Sequence, residues 1–166
     1  CINYEGRSVM VCTNHVGIES AMIMRESKSK PVVAKAKELR AKHNGRTLFA
    51  SFEYLQRLNG VALTLLAYEI FLQTYPRQRS KVCLVMRCAE IDERKHDSDK
   101  TKGECEELVA RIKKQFGEEV IDYESFSTGI NGWQFDFTRN DRLALWVASK
   151  VLIKTSVQEG LNMTPL

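Results

Sequence analysis

The sequence predicts an α/β protein built on a parallel sheet, and three observations carry this prediction. Apolar segments of strand length alternate with segments of helical periodicity from residue 46 onward, which is the order expected of βαβ units. Residues 81–88 are apolar almost without interruption through Met86, as strands buried on both faces are. Proline, glycine and Asn-Gly signals mark where the helices begin and end.

The first half of the chain predicts two strands and two helices. In order, these are a strand at 8–12, a polar connection at 19–30, a helix at 31–43, a strand at 46–52, a loop at 53–59 and a helix at 61–75. Pro31 suits a first helical turn, and Asn44 and Gly45 form a stop signal. Gly60 opens the second helix and Pro76 ends it. This second helix is apolar nearly all round, so we expect it to pack on more than one side.

The second half predicts three strands and two helices. In order, these are a strand at 81–88, a charged loop at 90–103, a helix at 104–116, a strand at 120–123, a loop at 125–137, a helix at 140–149 and a strand at 151–155. The helix at 104–116 is amphipathic, because Cys105, Leu108, Val109 and Ile112 follow the helical spacing, and Gly117 ends it.

Composition excludes several classes of protein. Among 166 residues, 25 Lys and Arg face 21 Asp and Glu, which leaves a net charge of +4 with no basic arm, so no nucleic-acid partner is predicted. No apolar run approaches the roughly 18 to 20 residues of a membrane span, so no membrane partner is predicted. The five cysteines lack Cys-x-x-Cys spacing and the three histidines stand far apart. This predicts reduced thiols in the cytoplasm and no metal site.

Two loops form the candidate ligand site. In open parallel sheets, ligands bind beyond the carboxyl ends of the strands, and the loops at 53–60 and 156–166 follow predicted strands. Free N–H groups at helix N-termini favour phosphate or sugar oxygens. Neither loop has a glycine-rich phosphate-binding motif, so ordinary connecting loops are the alternative.

Five segments carry a second signal that spans essentially the whole chain. They are YEGRSVMVCTNHVGI at 4–18, GVALTLLAYEIFLQTYP at 60–76, KVCLV at 81–85, EELVARIKKQFG at 106–117 and KVLIKTSVQEGLNMTPL at 150–166. In this order they resemble motifs of the trehalose-6-phosphate synthases. The last of them resembles the family's D-V-x-L-V-T-x-x-R-D-G-M-N-L.

The resemblance implies a GT-B glycosyltransferase, in which two Rossmann-like domains face each other across a cleft. The family moves glucose from UDP-glucose to glucose 6-phosphate with retention, using no metal and no other cofactor. Residues 1–30 would then be the last strand of the N-terminal domain and the crossover. Residues 31–166 would be an incomplete C-terminal, nucleotide-sugar-binding domain. We therefore expect the sequence to be a fragment of a longer protein.

The resemblance also assigns donor-binding positions. They are Glu159, Gly160, Leu161, Asn162, Met163, Thr164 and Phe137. Glu159 matches the family acid that holds sugar hydroxyls, and Gly160 permits close approach of the backbone. The amides of the next three residues would face the donor sugar and phosphates, and Met163 and Thr164 match nucleotide-contacting positions. Phe137 matches an aromatic that contacts the uridine, with an ordinary core residue as the alternative.

The first loop departs from the family at two cations. The family reads V-D-R-L-D-Y-I-K-G where this chain has FEYLQRLNG at 52–60. Tyr54 and Asn59 therefore replace the Arg and Lys that neutralise the UDP phosphates and support departure of the leaving group. Arg57 and Gly60 are candidate phosphate contacts, with a solvent-exposed arginine as the alternative for Arg57. No residue of this chain is assigned a catalytic role.

The family's P-S-R after the second strand is also altered. Residues 90–92 read Glu-Ile-Asp, and Arg94 follows two residues late. The family Arg contacts the phosphate of the acceptor sugar, so Arg94 is a candidate replacement.

Intact fold signals beside altered cations predict a synthase-like protein of trehalose biosynthesis with impaired catalysis. The alternative is an inactive regulatory or scaffold subunit of a trehalose synthase complex. A generic Rossmann-like domain without a sugar ligand is a third interpretation. We expect a homo- or hetero-oligomer, with a fused or associated trehalose-phosphatase-like domain as a further partner.

Overall fold

The computed structural model describes residues 2–10, 17–90, 94–127 and 137–158. They form a four-stranded parallel sheet in the order β5-β4-β3-β6, with helices on both faces, and a separate antiparallel hairpin of β1 and β2. The strands are β1 (Ile2–Tyr4), β2 (Arg7–Val9), β3 (Thr47–Tyr54), β4 (Val82–Glu90), β5 (Ile121–Ser127) and β6 (Val151–Leu152). The helices are α1 (Ser20–Ser27), α2 (Lys30–Lys42), α3 (Val61–Thr74), α4 (Lys95–Phe116) and α5 (Arg139–Ala148).

The predicted parallel sheet is confirmed, and its centre is the β3–β4 pair. The register runs from Thr47 opposite Val82 to Tyr54 opposite Ala89. All residues of β4 except the last are buried, as its continuous apolar run predicts. β6 is much shorter than predicted, since only two of its residues pair with β3.

Each face of the sheet has its own hydrophobic core. On the side of α3 and α4, the core includes Leu65, Leu72, Leu84, Met86 and Ile112. On the side of α2 and α5, it includes Val32, Leu48, Val85, Leu143 and Leu145. This two-sided arrangement positions the carboxyl ends of the strands along one edge, where the two candidate loops lie.

The predicted helix boundaries around α2 and α3 are confirmed. Pro31 lies in the first turn of α2, and Asn44 and Gly45 after its end have positive φ of 52° and 70°. Gly60 precedes α3 with φ of 68°, and Pro76 follows it. α5 begins with a capping box, in which Thr138 and Asp141 satisfy each other's backbone N–H groups.

The predicted polar connection at 19–30 is wrong, because it contains helix α1. Ile23 of this helix packs against the core on the α2/α5 side. Glu26 forms a 2.9 Å ion pair with Arg139 at the start of α5. Contacts made far along the chain thus stabilise a helix that is too polar to be recognised locally.

The predicted loop at 90–103 is also wrong, because α4 begins at Lys95. Ser98 and Thr101 are buried and continue the inner face of the helix back from Cys105 at helical spacing. Small hydroxyl side chains occupy these inner positions, so hydrophobic periodicity detected only the later part of the helix.

Other boundaries differ by a few residues. β5 extends to Ser127, into the predicted loop at 125–137. The predicted strand at 8–12 is observed as β2, which ends at Val9, and residues 11 and 12 lie outside the described residues. Cys83, Cys88 and Cys105 are buried free thiols. Within the described parts of the chain, no helix has the length and apolar character to cross a membrane.

Candidate functional site

The strand order creates a switch point between β3 and β6. From β3 the chain crosses to β4 and β5 on one side and later returns to β6 on the other side. The loops leaving the carboxyl ends of β3 and β6 therefore lie at the position where open α/β sheets bind ligands. Both loops that the sequence singles out begin here.

The two loops contact each other directly. The backbone N–H of Val157 donates to the carbonyl of Leu58 at 2.9 Å. The hydroxyl of Thr155 donates to the carbonyl of Gly60 and lies 2.7 Å from the hydroxyl of Thr64 on α3. The loop after β3, the loop after β6 and the first turn of α3 thus form one hydrogen-bonded unit.

The backbones of the two loops approach each other most closely at Gly60 and Thr155. A Cβ atom at Gly60 would lie 2.0 Å from the carbonyl oxygen of Thr155, and the residue has φ of 68°. Only glycine combines this left-handed conformation with so close an approach of two backbones. The sequence predicted the start of α3 at Gly60, whereas the contact with Thr155 comes from the tertiary structure.

A buried ion pair lies beside this unit. Nζ of Lys154 is 2.7 Å from Oε2 of Glu53, whose side chain is 0% exposed, while that of Lys154 is 17% exposed. The sequence marks neither residue as part of a site, because its patterns predict a loop at Glu53 and a strand at Lys154. Because the two charges cancel, this pair adds no net positive charge at the switch point.

An aromatic cluster lies at the same edge of the sheet, on the side of α5. Phe137 stacks on Phe52 at 5.7 Å and on Phe126 at 5.4 Å between ring centroids. Tyr54 meets Phe52 edge-on at 6.1 Å. In the register, Ala89 of β4 lies between Tyr54 of β3 and Phe126 of β5, and its small side chain leaves room for rings from the two flanking strands to approach. The cluster gives Phe137 core-like packing, and its contact with uridine stays a prediction.

The candidate cations lie at the exposed rim of this edge. Arg57 is exposed in a short 3-10 turn, and its backbone N–H donates to Asp97 of α4 at 3.3 Å. Arg94 is exposed immediately before α4. The segments that carry the two arginines therefore adjoin, although the sequence presents them as separate loops. Tyr54 and Asn59 are half-buried. The predicted donor-binding residues Glu159, Gly160, Leu161, Asn162, Met163 and Thr164 lie outside the described residues.

A charged network crosses the sheet face beneath α2. Asp122 accepts hydrogen bonds from Arg87 at 3.1 Å and from Lys42 at 2.7 Å. Nε2 of His43 lies 3.0 Å from the same carboxylate, and Nδ1 lies 3.5 Å from the thiol of Cys83. Burial acts to raise the pKa of Asp122, but the hydrogen bonds and charges of Arg87 and Lys42 outweigh it and lower this pKa to about 2.

The same network contains no activated thiol. Burial raises the pKa of Cys83 to about 11, so it is a neutral thiol at neutral pH. Burial lowers the pKa of His43 below its ordinary value of 6.5, although Asp122 acts in the opposite direction. Cys83, His43 and Asp122 are therefore a structural group rather than a nucleophile and its base.

We expect acid to lower the free energy of unfolding in two stages. The unfolded chain protonates His43 near pH 6.5 and Asp122 near pH 3.8, in each case above the pKa of the folded state. Each contribution is complete above the unfolded pKa and is lost as the pH falls through the folded pKa. The Asp122 stage, between pH 3.8 and about 2, corresponds to about 2 kcal/mol. Urea denaturation across this pH range measures both stages.

Two variants separate the stages of this acid response. His43→Gln should flatten the pH dependence just below pH 6.5, and Asp122→Asn should flatten it below pH 3.8. The assignment of the two stages to His43 and Asp122 would be contradicted if either variant kept the pH dependence of unfolding free energy that the unmodified protein shows in the corresponding pH range.

Among the described residues, no group of three His, Cys, Asp or Glu side chains is arranged to hold a metal ion. The polar groups at the switch point are instead backbone amides, hydroxyls, a neutralised ion pair and exposed arginines. Such groups can hold the oxygens and ring of a sugar or a nucleotide.

Comparison with known proteins gives consistent results. The family model described as Glycosyltransferase family 20 matches residues 1–166. The chain is 30% identical over 162 residues to alpha,alpha-trehalose-phosphate synthase [UDP-forming] 2 of Aspergillus fumigatus, covering 98% of this chain and 33% of that protein. It is 26% identical over 160 residues to probable alpha,alpha-trehalose-phosphate synthase [UDP-forming] 3 of Arabidopsis thaliana, covering 96% of this chain and 20% of that protein.

Solved structures show the same fold. The N-terminal domain of trehalose-6-phosphate phosphatase from Candida albicans has a TM-score of 0.80 at 24% identity, covering 98% of this chain and 34% of that chain. An alpha,alpha-trehalose-phosphate synthase (UDP-forming) from Burkholderia xenovorans, in complex with glucose-6-phosphate, has a TM-score of 0.80 at 21% identity and covers 95% and 34%. The chain thus spans between 20% and 34% of the length of these relatives. Its sheet and helices correspond to part of a GT-B trehalose-phosphate synthase, and since the family model matches from the first residue to the last, the chain belongs to glycosyltransferase family 20.

Proposed function

We propose that the protein containing this chain is a trehalose-6-phosphate synthase homologue whose glucosyl transfer from UDP-glucose to glucose 6-phosphate is impaired. The proposal is supported by two loops that stay in contact at the switch point and, on the resemblance to the family, by the replacement of two phosphate-binding cations. Gly60 and Thr155 keep the loops after β3 and β6 in contact, while Tyr54 and Asn59 stand at the positions of the family Arg and Lys.

The chemical consequence follows from charge. Transfer of glucose leaves UDP with additional negative charge, which preorganised cations stabilise as it develops. Lys154 cannot supply this stabilisation unaided, because it is neutralised by the buried Glu53. Arg57 and Arg94 are exposed at the rim, where solvent screens their charges and side-chain freedom opposes preorganisation. Loss of one such contact lowers kcat by roughly 100- to 1,000-fold.

The second candidate function is that of a regulatory or scaffold subunit in the cytoplasm, without turnover. The similarity to the N-terminal domain of a trehalose-6-phosphate phosphatase favours it, because there the fold occurs in a protein named for a different activity. In this case the retained fold would hold a phosphatase-like domain or a second subunit near its substrate.

Two measurements on the full-length protein test the proposal. We expect UDP release from UDP-glucose in the presence of glucose 6-phosphate to be at least about 100-fold slower than in a family member that carries Arg and Lys at these two positions. Calorimetric titration with UDP and UDP-glucose separates the two candidates. Binding of UDP-glucose with slow turnover supports the impaired enzyme. The absence of both binding and turnover supports the regulatory subunit. Turnover equal to that of the comparison enzyme would contradict both.

A further inference from the structure

Arg142 lies in the first turn of α5 and stacks on the aromatic cluster. Its guanidinium carbon is 5.4 Å from the centre of the Phe52 ring, and the residue is half-buried. A guanidinium over an aromatic face is held by cation–π attraction and by stacking, which limits the freedom of the side chain. Arg142 is therefore preorganised, whereas Arg57 and Arg94 are exposed at the rim.

The position of Arg142 in the fold places it at the candidate site. α5 leads into the parallel strand β6, so its first turn lies at the carboxyl ends of the strands. The Phe52 ring beneath Arg142 also contacts the Tyr54 ring edge-on at 6.1 Å. On the resemblance to the family, Tyr54 replaces a phosphate-binding cation. Because Arg142 and Tyr54 contact the same ring, a positive charge lies beside the position that has lost one.

The charge of Arg142 is not neutralised, in contrast to that of Lys154. Lys154 is paired with Glu53 at 2.7 Å. Among the residues that the structure describes, no carboxylate pairs with the guanidinium of Arg142. Asp141, its neighbour in the sequence, forms an ion pair with Lys35 of α2 instead. Arg142 thus keeps its full charge at this edge of the sheet.

The stacked guanidinium can bind a phosphate without leaving the ring. Its N–H donors point outward in the plane of the group, whereas stacking on Phe52 uses only the face of that plane. Such a fork of donors matches two oxygens of a phosphate and binds them bidentately. The first turn of a helix also favours an anion, because the positive end of the helix dipole lies there.

We propose that Arg142 binds the diphosphate of the nucleotide sugar and is the residue on which the remaining affinity for UDP depends. This inference rests on the proposed function and deepens it, because it assigns a phosphate contact on the α5 side of the site. One cation from α5 would stand where the family has two cations on the loop after β3. A single charge restores part of the affinity but less stabilisation of the leaving group, which agrees with binding combined with slow turnover.

Calorimetric titration of UDP into the full-length protein and its variants tests this contact. Arg142→Gln should raise the Kd for UDP at least about tenfold, because a charge-assisted contact is lost. Arg142→Met keeps an apolar stem on Phe52 without the charge, so it should weaken binding as much as Arg142→Gln does. Arg142→Lys should be intermediate, about threefold weaker than the unmodified protein, because it keeps the charge but not the bidentate, stacked geometry.

Arg77→Gln is the matched control. It removes the same charge from an exposed turn between α3 and β4, at the opposite edge of the sheet. The Kd for UDP should stay within about twofold of that of the unmodified protein, because solvent and salt screen so distant a charge.

Three results would overturn the inference, and they are distinguishable. If UDP binds but Arg142→Gln changes the Kd no more than Arg77→Gln does, Arg142 does not contact the diphosphate, and the proposed function stands. If Arg142→Met keeps the affinity that Arg142→Gln loses, Arg142 acts only by packing on Phe52. If the unmodified protein does not bind UDP, both this inference and the impaired enzyme are wrong.

Discussion

Replacing Tyr54 by Arg together with Asn59 by Lys is expected to increase the affinity of the full-length protein for UDP by at least about 100-fold. Each cation would add a charge-assisted contact to a phosphate, and such contacts contribute roughly 1.5 to 3 kcal/mol. Both positions are half-buried at the carboxyl end of β3, next to the start of α3. An Arg at position 54 can keep its aliphatic stem against Phe52, which the Tyr54 ring now contacts edge-on.

Calorimetric titration of UDP into both proteins measures this change. The control is Ala34→Arg with Ala41→Lys, which adds the same two charges at exposed positions of α2. A comparable gain in the control would show a non-specific effect of net charge. No gain in the Tyr54 and Asn59 variant would mean that the switch point no longer forms a phosphate site.

Gly60→Ala is expected to lower the free energy of unfolding by about 2 to 5 kcal/mol. Alanine in the left-handed conformation costs roughly 1 to 2 kcal/mol. The added Cβ would also lie 2.0 Å from the carbonyl oxygen of Thr155 and 2.8 Å from its carbonyl carbon, so the backbone after β6 must move. That movement breaks the hydrogen bond from Thr155 to Gly60 and overpacks the junction, which costs a further 1 to 3 kcal/mol on the usual scale.

Gly45→Ala is the matched control for this substitution. Gly45 has φ of 70°, close to the 68° of Gly60, but no atom lies within 4 Å of its would-be Cβ. It should therefore cost only about 1 kcal/mol, the conformational part of the effect. Urea denaturation of both variants isolates the steric part. Equal losses of stability in the two variants would show that the contact between Gly60 and Thr155 does not constrain the fold.

The candidate site shows how far local signals reach. The sequence predicts a loop after each of β3 and β6 from strand patterning, although β3 continues to Tyr54 and β6 already ends at Leu152. Gly60 marks where the first loop ends and α3 begins. The sequence did not predict that the loops touch through Leu58 and Val157. It also missed the buried pair of Glu53 and Lys154, whose members are 101 residues apart in the chain. A charged side chain at the end of a strand is usually exposed to solvent. Only the residues that pack around it in the folded protein reveal that it is buried.

The helices show the same limit. α2, α3 and α5 were predicted within one or two residues, since caps and apolar periodicity mark them locally. α1 was missed and α4 was begun nine residues late, because their inner faces rely on Ile23, Ser98 and Thr101. Hydroxyl side chains and single apolar residues do not mark a buried helix face in the sequence. They are recognised as buried only when another element of the fold packs on them.

By itself, the sequence determined the alternation of strands and helices, the buried character of β3 and β4, and the resemblance to the family. These properties depend on residues that are close together in the sequence, because strand periodicity, helix periodicity and turn residues determine local structure over a few positions. The tertiary structure alone decided that the two loops form one unit at Gly60, that Asp122 joins Arg87, Lys42 and His43, and that Glu69 of α3 pairs with Arg111 of α4. Those arrangements join residues distant in the chain, and the packing of the sheet between its two helical layers brings them together.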